Sequence, residues 1–150
     1  MSVADEVWPV SDVLAFLAGR WRVERTVRDL ADDLTGTFTG TTDFTAEGDG
    51  LLHVESGTFE WRGTARPAER ILRFRPAPET PGTAVVHFAD GRFFHDLDLR
   101  SGRHVADHPC SADLYRGEFS AYDADRWRTV WRVKGPAKDL LLTTDYRRAA

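Results

Sequence analysis

From Arg20 to Asp29 the chain alternates, with Trp21, Val23 and Val27 at odd positions and Arg20, Arg22, Glu24 and Arg28 at even ones. A period of two is that of a strand with one core face and one wet face. Arg25 breaks the pattern. Its guanidinium stands among core positions and cannot shed its proton, so it must meet a carboxylate, a ligand anion or water. The alternation returns along the chain between turn signals at Glu47-Gly48-Asp49-Gly50, Ala89-Asp90-Gly91, Arg100-Ser101-Gly102, Tyr122-Asp123-Ala124-Asp125 and Gly135-Pro136-Ala137-Lys138. It predicts antiparallel strands at 20–29, 36–46, 51–62, 69–75, 83–88, 92–99, 103–108, 113–122, 126–134 and 139–148. One helix is predicted, over Ser11–Gly19, with Ser11 as N-cap, Val13, Leu14 and Leu17 as its apolar stripe, and Gly19 as its stop.

Left open, a sheet of this length would present two unpaired edges, and closure removes both. The expected fold is all-β, a closed antiparallel up-and-down barrel of about ten strands with a short N-terminal helix, too wide for its own side chains to fill. Residues 1–150 are expected to form one domain, with 1–10 as an N-terminal extension. The proline-rich run Pro76–Gly82 reads as a stiff surface loop.

Charge and composition narrow the function. The formal net charge is −4, and all but two of the 20 basic residues are arginines, the lysines being Lys134 and Lys138. Without a basic excess, nucleic acid is a poor partner. Cys110 is the only cysteine, which excludes an internal disulfide and a cysteine-rich zinc site and fits a reducing cytoplasm. Acidic residues in Met1–Glu6 predict no signal peptide, and no apolar run approaches the ~20 residues of a membrane span.

Several inward positions carry candidate chemistry. In 92–99 the alternation sends Phe93, His95, Leu97 and Leu99 inward and Phe94, Asp96 and Asp98 outward. His95 is then an acid, a base or a core hydrogen-bonding group. In 113–122 Tyr115 faces in, with Asp113 on the same face near the rim. The preceding strand carries His104, Ala106 and His108, so His108 and Asp113 are expected close together, as a base with its orienting partner or, preferably, as a hairpin tie. In 51–62 the aromatic rings decide the facing. Phe59 and Trp61 inward brings in His53 and Glu55, which makes Glu55 the natural partner of Arg25, as a clasp or as a ligand anchor. Trp127 and Trp131 line the opposite wall. Cys110 near histidines is a weak nucleophile candidate, and Lys138 and Asp139 read as turn contacts.

The short helix followed by Gly19-Arg20-Trp21, with Arg147 or Arg148 on the last strand, resembles the calycin group of lipocalins, fatty-acid-binding proteins and nitrobindin-like barrels. The stretches Phe94–Leu99, His108-Pro109-Cys110, Asp113-Leu114-Tyr115 and Trp131–Asp139 resemble a bacterial family of unknown function in that group. The resemblance implies the barrel and carries no activity. Nitrobindin-like barrels bind haem, but Arg22-Val23-Glu24-Arg25 replaces their glycine-rich first strand. Only His104 and His108 share a metal-ligand spacing, so no metal or cofactor is expected.

The expected function is binding of one apolar or aromatic small molecule in the barrel, with Arg25, Glu55, Trp61, Phe93, His108, Asp113 and Trp131 as ligand contacts. A cofactor-free isomerase, cyclase or hydrolase using His95 and Tyr115 is the alternative. An interaction scaffold would show an outer apolar patch such as Val85 and Phe94. A monomer or homodimer is expected.

Overall fold

The computed structural model describes residues 6–110 and 112–149, apart from the side chains of Pro109 and Cys110. One helix, α1 (Val13–Leu17), precedes ten strands: β1 (Gly19–Asp29), β2 (Leu34–Glu47), β3 (Gly50–Trp61), β4 (Thr64–Pro76), β5 (Ala84–Phe88), β6 (Phe93–Leu97), β7 (Arg103–Cys110), β8 (Asp113–Asp123), β9 (Arg126–Gly135) and β10 (Lys138–Arg148). Apart from β6 and β7, each strand pairs antiparallel with the next in the chain. β1 also pairs with β10, so the sheet runs β6-β5-β4-β3-β2-β1-β10-β9-β8-β7. The barrel is nearly closed, and the seam lies where β6 faces β7, with no ladder between them among the described residues.

The helix plugs one end. Its N-cap is Asp12 rather than Ser11, because the Asp12 carboxylate accepts from the Ala15 N–H. Val13, Phe16 and Leu17 are buried, and Phe16 packs on Trp21 with ring centroids 5.6 Å apart. The Trp21 indole N–H donates to the Leu17 carbonyl, and Arg148 lies 4.2 Å over the Trp21 ring while donating to the Phe16 and Ala18 carbonyls. Gly19-Arg20-Trp21 and Arg148 therefore fasten the helix to the barrel mouth. Before α1, Trp8 and Val10 donate to the carbonyls of Ala121 and Leu99, which straps the leading segment across the same end.

The opposite end is less walled. β4 begins five residues earlier than the alternation predicts, because Arg62 and Gly63 both take positive φ and form a two-residue hairpin. Pro67 is tolerated there because β5 pairs only with Leu72–Pro76, leaving the first half of β4 unpaired on that side.

Facing follows the sequence on β1, β3, β7, β8 and β9, and on β6 it holds for His95, Asp96 and Leu97 but is reversed at Phe93 and Phe94. Register shifts between Val86 and His87, so a bulge admits Phe94 and His95 both to the interior. Phe93 is turned out, at 53% exposure, and cannot serve as the inward contact expected of it. Phe94 takes that place, which also removes the outer apolar patch assigned to Val85 and Phe94. The outward faces carry Arg–carboxylate pairs across strands, such as Arg20–Asp43, Arg128–Asp145 and Arg132–Asp139, which add little stability at such exposure because solvent screens them.

Candidate ligand-binding site

Below the plug the barrel holds two adjoining compartments that share Arg25, Arg70 and Leu142. The inner one, about 110 Å³, is walled by Phe74, Phe94, Phe119, Trp127 and Trp131, with His53, His95, Tyr115, Thr129, Thr144 and Tyr146 among its polar groups. The outer one, about 290 Å³, opens toward the unplugged end between Val27, Phe38, Phe59 and Ala68. Together they suit a guest of one or two rings.

The misfit cation of β1 finds the expected carboxylate. Arg25 Nη1 and Nη2 donate to Glu55 Oε1 and Oε2 at 2.7 and 3.0 Å, Nε donates to Thr144 Oγ1 at 2.7 Å, and Nη2 also reaches the Tyr146 hydroxyl at 3.4 Å. Thr42 donates to Glu55 Oε2. This planar fork explains why an arginine serves here where a lysine would not. Burial works against the Arg25 charge, yet Tyr146 and Glu55 beside it raise its pKa further. Burial alone would raise Glu55, but the hydrogen bonds and charge of Arg25, with Arg70 beyond, hold it at about 2. The pair is ionised throughout the ordinary pH range.

His95 is buried on the inner wall. Its Nδ1 lies 2.6 Å from the Asp96 carbonyl, which can only accept, so Nδ1 carries the hydrogen and Nε2 is left as an acceptor. Burial lowers its pKa to about 4. His53 is brought down to about 3, first by burial and then by Arg70. Both rings are therefore neutral at pH 7. Two buried polar atoms among the wall residues, His53 Nδ1 and Trp127 Nε1, have no hydrogen-bond partner among the described residues.

Of the other expected contacts, Tyr115 and Trp131 line the inner compartment, Trp131 stacking on Phe94 at 5.3 Å. Trp61 faces inward but stacks on Phe59 at the rim, outside both compartments. His108 is half-buried behind the wall, edge-on to Phe94 and Tyr115. It pairs in register with Tyr115, not with Asp113, whose carboxylate is taken by Lys138 at 3.1 Å. The expected His108–Asp113 couple is thus replaced by an ion pair to β10. Asp139 pairs with Arg132. His104 is half-buried, and no cluster of three metal-ligating groups occurs among the described residues. The reactivity assigned to Cys110 rests on its side chain, which lies outside the described part of the chain. The sequence reading missed Arg70, Thr144 and Tyr146. Arg70 shares parity with Leu72 and Phe74, a signal that was present, whereas the run Leu140-Leu141-Leu142 hides the facing of β10.

A ten-stranded antiparallel up-and-down barrel, plugged by a helix and hollow beneath it, defines a calycin-like barrel. Residues 17–148 match the family of unknown function DUF6314, and the chain belongs to that family. No curated protein matches it in sequence. Among solved structures it is similar to an S-type phycobiliprotein lyase from Guillardia theta (10% identity, TM-score 0.67, 95% of this chain and 94% of the other). It is also similar to a DUF3598 protein of unknown function from Nostoc punctiforme (13%, 0.60, 99% of this chain and 52% of the other). A de novo designed fluorescence-activating β-barrel is a third (12%, 0.50, 92% of this chain and 98% of the other). At these identities the likeness is one of fold.

Proposed function

We propose that the protein binds one apolar or aromatic small molecule inside the barrel. The observation that carries this is the inner compartment itself: an aromatic wall onto which Arg25, Thr129, Thr144 and His95 converge, with the Trp127 N–H unpaired among the described residues. Rings give affinity through area and stacking, and a few fixed polar groups set orientation. The similar barrels, a phycobiliprotein lyase and a designed fluorescence-activating barrel, support a small-molecule reading of this shape at the level of fold. The reading is of a bacterial cytoplasmic protein acting as a monomer or homodimer, and the one cysteine fits a reducing compartment.

One observation favours a second reading, acid–base catalysis: His95 and Tyr115 line the same compartment. Against it, His95 at about 4 is a weak base at neutral pH. Binding is therefore the stronger conclusion.

A thermal-shift screen of small aromatic compounds, joined to mass spectrometry of material extracted from the purified protein, tests it. Stabilisation by one-ring and two-ring compounds, abolished by filling the inner compartment with Thr129→Phe, is the expected result. A panel that leaves the melting temperature unmoved, with nothing extracted, contradicts it.

A further inference from the structure

Two arginines border the hollow, and they differ in one respect. Arg25 is committed to Glu55, Thr144 and Tyr146. Arg70 makes no hydrogen bond and no ion pair among the described residues, although it borders both compartments. It sits opposite Glu55 in the β3–β4 ladder, on the inward parity of Leu72 and Phe74. The β4–β5 ladder ends at Leu72–Phe88, so the strand has no neighbour on that side at Arg70. The side chain therefore stands at the rim, solvated on one flank and against the hollow on the other. Its charge is felt by Glu55, His53, His95 and Tyr146, on β3, β6 and β10.

Charge balance says what such a group receives. Among the described residues Arg25 and Arg70 face one carboxylate inside the barrel, Glu55, whose two oxygens are occupied by the Arg25 fork and the Thr42 hydroxyl. Glu69 borders the outer compartment from the next position along β4, but it pairs with exposed Ser56 on the outward parity. A guanidinium in this setting matches a planar carboxylate with two parallel hydrogen bonds. The wall beyond it is aromatic.

We propose that Arg70 is the anion anchor of the site and that the ligand class is an aromatic carboxylate, its rings against Trp131, Phe94 and Phe119 and its carboxylate on Arg70. The proposal rests on the small-molecule reading above and deepens it. Because Arg70 is exposed and makes no hydrogen bond or ion pair among the described residues, Arg70→Gln is expected to fold, which its thermal melt checks.

The test pairs 2-naphthoate with 2-naphthamide, which have nearly the same shape and differ by one negative charge, titrated by calorimetry and by quenching of the wall tryptophans. The unmodified protein is expected to prefer the naphthoate by about tenfold or more. Arg70→Gln should weaken naphthoate binding by about tenfold and change naphthamide binding far less, so that the preference between the two probes is lost, while Arg70→Lys retains part of the preference. Equal binding of the two probes by the unmodified protein, or a preference that survives in Arg70→Gln, overturns the anchor and leaves the cavity reading standing. Binding of neither probe by the unmodified protein overturns both.

Discussion

At the scale of single residues, the buried pair Arg25–Glu55 dominates. Glu55 is 3% exposed, and removing its charge strands a guanidinium in a poorly solvated interior. Glu55→Gln should cost about 3–5 kcal/mol in chemical denaturation, whereas the double variant Arg25→Met, Glu55→Leu should recover most of that loss. A double variant no more stable than Glu55→Gln would show that the pair does more than neutralise itself. Acid acts through the same groups. Glu55 is held at about 2 against an ordinary 4.5, so its stabilisation is complete above the ordinary value and is lost as pH falls toward 2. His53, at about 3 against 6.5, adds to this, because below 6.5 the unfolded chain takes up a proton that the folded one refuses. Unfolding free energy should therefore fall steadily from about pH 6.5 downward, and His53→Leu should flatten the upper part of that decline. A profile unchanged by His53→Leu would contradict the assignment. Arg25 was legible in the sequence because a guanidinium on an apolar face advertises itself. Arg70 carried only the weaker signal of sharing parity with Leu72 and Phe74, easily passed over because β4 is largely solvated before Leu72.

At the scale of elements, alternation and turn residues located all ten strands, and the errors have local causes. The β5–β6 bulge places an extra residue opposite the Val86–His87 step, and no count of alternating positions detects it. That slip exchanged Phe93 for Phe94. The early start of β4 was hidden by Pro67, which reads as a strand breaker until the missing neighbour is known. One pairing of elements bears directly on the site. Gly117 of β8 lies beneath Trp131 of β9, and a Cβ there would stand 2.5 Å from the indole. Gly117→Ala should displace Trp131 into the inner compartment, cost about 1–3 kcal/mol, and weaken aromatic guests more than the stability loss alone explains. Undiminished guest affinity in a folded Gly117→Ala protein would show that Trp131 is not part of the binding wall.

For the whole molecule, the proposed binding depends on the two ends being unlike. Phe16, Leu17 and Trp21 seal one, tied down by Arg148, while the other opens between Phe38, Phe59 and Ala68 onto a chamber deepening toward Trp127. The barrel and its hollow could be expected from strand number and spacing. The depth at which the plug stops and the walls begin could not, because it depends on how α1 folds back over Trp21. The most direct measurement is a crystal structure of the protein grown with 2-naphthol, an uncharged two-ring guest. Density for one ring system enclosed by Trp131, Phe119 and Arg25, with the barrel walls unmoved, is the predicted result. A barrel filled by its own side chains, with the guest absent or only on the outer surface, would contradict it.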